Sequence, residues 1–308
     1  MSSEIKKKML KRVKEIYEGG ENIIKFLRNN NKNSIEDILI SYDFQAGTYI
    51  EGFYKNPEFT ICVCNELLDY FQKLEGRKKS FLEAGVGEGT ILINIAKMMS
   101  GEVEWLGGCD LSWSRIKEAQ LFAKKVLGDT KNIDLVVGDM SELPFLDNSI
   151  DIVYTRHALE PNGGNEKILL EELYRVAREW LVLIEPSYEM ATYEQRLRMD
   201  ENGYIKGLPS IIKDLGYDVL IYEKFKYDSN PMNPAAITII KKKFEGAKNT
   251  TNRTPFADPI THASLSYYGD LYYSEDSMLA YPVVDGVPCL MEENAIVATK
   301  LLKYKETK

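Results

Sequence analysis

The stretch Phe81-Leu82-Glu83-Ala84-Gly85-Val86-Gly87-Glu88-Gly89-Thr90 constrains this chain more than any other. An apolar run ends in three glycines at alternate positions, and a helical pattern follows over Thr90–Met99. Glycine lets a backbone turn sharply and approach a ligand with no Cβ in the way, while the first helical turn beyond it offers N–H groups without intrahelical partners. The pattern predicts strand, tight turn and helix. The turn either cradles a nucleotide-like ligand or is a plain connector.

The same rhythm continues downstream. Apolar runs at Ser80–Ala84, Val103–Cys109, Ile133–Val137, Ile150–Tyr154 and Trp180–Ile184 alternate with helical stretches at Thr90–Met99, Ser114–Val126 and Glu166–Arg178. Such alternation predicts a parallel sheet whose crossovers are helices. Two further runs, Val219–Phe225 and Ala236–Ile240, are separated only by Lys226–Pro234, so one of them should run antiparallel. The predicted fold is α/β: a Rossmann-like, seven-stranded, mostly parallel sheet with helices on both faces. Residues 1–60 form a helical lid, because Met9, Val13, Ile16, Ile23, Ile24 and Leu27 recur at helical spacing. The sheet domain covers 61–243, a polar, turn-rich linker 244–255, and a small α+β module 256–308.

Composition excludes other classes. With 308 residues, 44% hydrophobic and 28% charged, the chain can bury a sizeable core plus an appendage. Its net charge of −8 repels phosphate backbones and argues against a nucleic-acid partner. The basic stripe Lys6–Lys14 is read as a solvated helix face. Four cysteines with no C-x-x-C pair support neither a disulfide framework nor a cysteine-rich zinc site, which suits a reducing cytoplasm. No apolar run approaches the ~20 residues of a membrane helix, so no membrane partner is expected.

Two carboxylates stand at the ends of the next two strands. Asp110 is placed to accept hydrogen bonds from ribose hydroxyls, and Asp139 from an adenine amine; each can also be read as a cap or turn residue. A nicotinamide dinucleotide would use the same edge, and Asp110 lies 21 residues beyond Gly89, as that fingerprint requires. Thr90, however, occupies the place of a third glycine or alanine, and Glu83 would repel a pyrophosphate. Beside an ammonium, a carboxylate gains a charge-assisted hydrogen bond. The loop therefore prefers a cationic ligand.

Glu83–Gly89, Gly108-Cys109-Asp110-Leu111-Ser112, Gly138-Asp139-Met140 and Asp147–Val153 resemble, in order, the successive motifs of class I S-adenosylmethionine-dependent methyltransferases. The resemblance spans about Tyr42 to Lys243 and implies S-adenosyl-L-methionine as cofactor. It implies that Glu83 serves the methionine amino group, Gly85, Gly87 and Gly89 the close backbone approach, Asp110 with Leu111 the ribose edge, and Asp139 with Met140 the adenine. Ser41–Tyr49 is similar to the tyrosine-bearing segment over the cofactor in small-molecule members, so Tyr42 and Tyr49 either shield the sulfonium or pack against the first helix.

The acceptor is expected outside the strands' carboxyl ends, between 155–164 and 185–188. His157 is a candidate base or a structural histidine. Glu185 either holds a substrate amine or hydroxyl or pairs with Arg196 or Arg198; Tyr188, Arg196 and Arg198 suit a polar ligand with an acidic group. The C-terminal part resembles the zinc-ribbon-like activator of methyltransferases, with Asp258, Thr261, Ser274 and Ser277 where metal-binding members carry cysteines. That implies a module folding without metal through tyrosine and proline packing, suited to covering the catalytic domain or to homo-oligomer contacts. The expected activity is methyl transfer to nitrogen or oxygen of a small polar metabolite, such as a sugar or nucleotide-sugar of bacterial surface glycans. A non-catalytic binding scaffold is the alternative.

Overall fold

A computed structural model describes residues 3–27, 33–99, 103–228, 230–243 and 255–305. The expected linker lies outside the described residues except for Pro255. Four helices open the chain: α1 (Ser3–Glu18), α2 (Ile23–Leu27), α3 (Ile35–Phe44) and α4 (Thr48–Lys55). On α1, Val13 and Ile16 are buried while Arg12 pairs with Glu15 and Lys14 with Glu18, so this part of the basic stripe is an outer face. The reciprocal bonds of Ser34 and Asp37 start α3 as a capping box.

The sheet domain follows as α5 (Pro57–Lys73), β1 (Ser80–Ala84), α6 (Thr90–Met98), β2 (Trp105–Asp110), α7 (Trp113–Leu127), β3 (Ile133–Val137), β4 (Ile150–Arg156), α8 (Glu166–Val176) and β5 (Ala177–Pro186). Then come α9 (Tyr193–Asn202), α10 (Leu208–Asp214), β6 (Asp218–Lys224) and β7 (Ala235–Lys241). The strand order is β3-β2-β1-β4-β5-β7-β6. All neighbours are parallel except β7, which runs antiparallel to both β5 and β6. The seven expected strands are all present. The fifth is longer than its apolar core, because Ala177 already pairs with Ile150 across a bulge, and α8 stops correspondingly at Val176.

Alternate residues divide between the sheet's two faces, as a pleated strand requires. Phe81 and Tyr154 join Phe71 of α5 on one side, and Leu82 and Val153 join Leu173 of α8 on the other. The chain winds outward from β1 to β3 and then restarts at β4 on the opposite flank. The carboxyl ends of β1 and β4 therefore flank a topological switch point, where a crevice opens.

The C-terminal residues form β8 (Ser266–Tyr267), β9 (Leu271–Tyr273), β10 (Leu279–Val284), β11 (Val287–Pro288), β12 (Ile296–Val297) and α11 (Leu301–Lys305). They are stitched to the sheet domain. The amide of Leu290 donates to the Val137 carbonyl at 2.8 Å, and Cys289 bridges Val137 in parallel beyond β3. Asp285 and Gly286, both at positive φ, turn β10 into β11. Lys117 and Gln120 of α7 donate to the carbonyls of that turn.

Tyr281 and Tyr273 are buried in this module and Tyr272 packs on Phe256, and beside these rings lies a buried polar centre. The buried Asp258 carboxylate accepts from the amides of Ile260 at 2.8 Å and Thr261 at 3.2 Å, from the Tyr281 hydroxyl at 3.2 Å, and from Ser277. Burial would raise its pKa, yet the hydrogen bonds from Ser277, Ser274 and the two amides hold it below the usual carboxylate range. Among the described residues no group of three or more His, Cys, Asp or Glu could hold a metal ion. No described helix is long and apolar enough to cross a membrane.

Candidate active site

A cavity of about 570 Å³ lies at the carboxyl ends of β1, β2 and β4, beneath α3 and α4, within the usual range of small-molecule sites. Glu83, Gly85, Gly87, Asp110, Leu111, Asp139 and Met140 all line it. Gly85 has φ +75°, and a Cβ there would come within 2.2 Å of the Ala158 side chain, so the turn closes only without a side chain. Gly89 is different. It starts α6 at φ +70°, does not line the cavity, and lets Ile93 and Ala119 close the gap between α6 and α7.

Glu83 is buried on the cavity wall and accepts a hydrogen bond from Tyr154 at 3.0 Å. Burial pushes its carboxyl up to about 8, against the pull of Tyr154 and of the Arg156 charge. Asp110 accepts from the Gly87 amide at 2.9 Å with one oxygen and from the Ser112 amide at 3.0 Å with the other. It thereby fastens the glycine turn to β2 and still has acceptor capacity on each oxygen. Burial raises its pKa, while the nearby Arg115 charge pulls it back. Asp139 accepts from the Ser141 amide and hydroxyl at 2.7 and 2.8 Å.

The lid is fastened at several points. Asp43 accepts from the hydroxyls of Ser112 at 2.6 Å and Ser114 at 3.1 Å, tying α3 to the start of α7. The Ile50 amide donates to Glu88 at 2.8 Å, tying α4 to the glycine turn. Tyr42 and Tyr49 both line the cavity, and they flank Arg115: its guanidinium carbon lies 4.7 Å from one ring centroid and 4.3 Å from the other. Its Nε also donates to the Tyr42 carbonyl at 2.9 Å. Neither tyrosine packs chiefly on the first helix; it is Phe44 that meets Tyr17 there.

Beyond β4, His157 sits at φ +53°, a backbone region that non-glycine residues seldom occupy, and such strain gathers at functional positions. Its Nδ1 lies 3.1 Å from the Glu160 carboxylate, and its buried Nε2 has no hydrogen-bond partner. Both residues line the cavity. With the proton on Nδ1, donated to that carboxylate, the lone pair stands on Nε2. Glu160 lies within the expected 155–164 rim, but its pairing with His157 was signalled in the sequence only by the three-residue spacing.

Glu185 does not line the cavity, and Arg196 and Arg198 are bonded elsewhere, to the carbonyls of Tyr188 and Glu189 and to Asn233. The Glu185 carboxylate accepts from the amides of Ala158 at 3.1 Å and Leu159 at 3.2 Å, and burial pushes it up to about 7. It positions the loop that carries His157 and Glu160. Tyr188 and Arg196 also lie off the cavity, with Arg196 donating to the carbonyls of Tyr188 and Glu189. Arg198 does reach it and bonds Asn233. A second cavity of about 510 Å³ shares the walls Tyr42, Tyr49, Arg198 and Tyr204 and adds room under α1 and α2.

Fold and cavity together define a doubly wound α/β protein with a cavity of small-molecule size at its switch point. Residues 81–179, which include the glycine turn, Asp110, Asp139 and His157, match the family described as a methyltransferase domain. Among curated proteins, it is 28% identical to cycloartenol-C-24-methyltransferase 1 of Oryza sativa subsp. japonica, over 56% of this chain and 55% of that protein. It is 29% identical to norajmaline N-methyltransferase of Rauvolfia serpentina, over 42% of this chain and 44% of that protein. The chain thus spans about half the length of the curated relatives it matches. Among solved structures, magnesium protoporphyrin IX methyltransferase from Synechocystis with bound SAH is 18% identical, covers 60% of this chain and 82% of its own, and has a TM-score of 0.47.

Proposed function

We propose that this protein is an S-adenosylmethionine-dependent methyltransferase that methylates a nitrogen or oxygen of a small polar metabolite, with a sugar or nucleotide-sugar of bacterial surface glycans as the narrower reading. The observation that carries the proposal is one cavity holding both the Glu83–Gly87 turn with Asp110 and the free Nε2 of His157. The residues fit the donor: a tight glycine turn without side chains on the cavity wall, a buried carboxylate for an ammonium, and a second with acceptor capacity for two hydroxyls. When bound, the donor supplies an electrophilic methyl group on a sulfonium. Glu83 holds the ammonium, Asp110 with Leu111 the ribose edge, and Asp139 with Met140 the adenine, while Tyr42 and Tyr49 exclude water from above. His157 takes the proton released as the acceptor's heteroatom is methylated, and Glu160 keeps the imidazole turned for that task.

Residues 256–308 are the metal-free counterpart of the zinc-ribbon-like activator. The four positions aligned with its cysteines support this, because Asp258 meets the Thr261 amide, Ser277 and Ser274. The module serves as a permanent cover on the β3 edge.

Calorimetry tests the donor assignment: S-adenosylhomocysteine should bind and NAD should not, and the opposite result discards it. Asp110→Ala should weaken that binding by about 1–3 kcal/mol, through lost hydrogen bonds and a loosened Gly87. Unchanged affinity would remove Asp110 from the site.

Affinity should also depend on pH. Glu83 is mostly protonated in the free protein below about 8, and an ammonium requires the ionised form. Binding therefore releases a proton, and the association constant should climb by up to about tenfold per pH unit towards that value and then level off. Titrations in buffers of different ionisation enthalpy count the proton. Glu83→Gln should bind weakly and without this slope.

A further inference from the structure

We infer that Arg156 is a carboxylate-binding residue of the cavity, an assignment that rests on the reading of this cavity as the shared site of donor and acceptor. Arg156 is the last residue of β4, directly precedes His157, and lines the cavity together with it and Glu83. Its Nε and Nη2 are buried and meet no hydrogen-bond partner. These two nitrogens form one edge of the planar guanidinium, the edge that grips a carboxylate with two parallel hydrogen bonds.

The surroundings do not satisfy this edge. Glu83 acts on Arg156 only through its charge while accepting from Tyr154, and Glu185 is committed to two loop amides. The partly buried arginines with structural roles look different. Arg175 is bonded to Glu172, Asp147 and the carbonyls of Leu143 and Phe145, and Arg178 to Asp151 and the carbonyls of Asn148 and Ser149. A guanidinium cannot shed its proton to relieve an unpaired position, so the acceptors come from outside the chain: water in the free protein, and a ligand that displaces it when bound. A bidentate carboxylate fits this buried, unpartnered edge in charge and geometry. It belongs either to the methionyl end of the donor, where Glu83 and Arg156 would together hold a zwitterion, or to the acceptor.

Titrations of the full-length protein separate these sources. If the donor is the source, the wild type binds S-adenosylhomocysteine about 10- to 100-fold more tightly than its decarboxylated analogue, and Arg156→Gln erases that difference. If the acceptor is the source, decarboxylation has no effect, whereas protein saturated with S-adenosylhomocysteine binds acetate, read by saturation transfer to its methyl protons, and Arg156→Gln does not. The assignment is overturned if decarboxylation is neutral and acetate binds equally to both proteins or to neither. Arg156→Lys, which keeps the charge and loses the planar edge, should retain the fold and recover only part of either effect. It substitutes for Arg156→Gln should that variant fail to fold. A wild type that binds no S-adenosylhomocysteine refutes the donor reading instead, and acetate titrated into the ligand-free protein still tests Arg156.

Discussion

Replacing His157 with asparagine is expected to lower kcat by about 10²- to 10⁴-fold while donor affinity stays within about twofold, the scale of losing a positioned general base. Asparagine is preferable to alanine, because it tolerates the left-handed backbone at φ +53° and keeps the loop closed. The loss arises because Nε2 is the one imidazole atom free to receive a proton, and Nδ1 is engaged by Glu160 at 3.1 Å. Glu160→Gln should cost less, since it leaves the base in place and removes only its orienting charge. Single-turnover methylation with a screened acceptor is the measurement. Wild-type turnover in His157→Asn would leave only alignment and desolvation as the source of catalysis.

Asp258→Ala should destabilise the protein by about 3–5 kcal/mol, since it strands several buried donors at once. For a chain of this size each kcal/mol corresponds to roughly 2–4 °C of melting temperature. The loss should extend beyond the last fifty residues. Phe256, Tyr281 and Leu290 share a core with Phe145 and Leu173, and Leu290 is bonded to the edge of β3. The pH dependence has a definite sign. A carboxyl held below its unfolded pKa contributes stability that is fully present above the unfolded value near 3.9 and is lost as pH falls through the lower folded value. Acid melts of the wild type should therefore show a stability loss that Asp258→Ala lacks. Chelators should leave both proteins unchanged, and a chelator-sensitive wild type would contradict the hydrogen-bonded centre.

The strands were readable because each central strand of a sheet covered on both faces must be a short apolar run, and the glycine turn because only glycine satisfies its φ and its approach to Ala158. Asp110 and Asp139 were readable for a related reason: a residue at or just past the end of a buried strand must emerge at the sheet's carboxyl edge. Glu185 obeys that same rule and emerges at the edge of β5, yet its carboxylate turns back onto the amides of Ala158 and Leu159. Position along a strand does not specify which neighbour a buried carboxylate will find.

Local chemistry in the sequence thus determined the α/β sheet, the bend after β1 and the acidic rim, because those features depend on residues adjacent in the chain or repeated at fixed intervals. Only the tertiary structure decided that Arg115 lies between Tyr42 and Tyr49, 73 residues from the carbonyl it bonds, and that Asp258 gathers Ser277 across 19 residues. It alone left the edge of Arg156 open. A buried charge takes whatever partner the packed chain brings within about 3 Å, and sequence order carries no record of that distance.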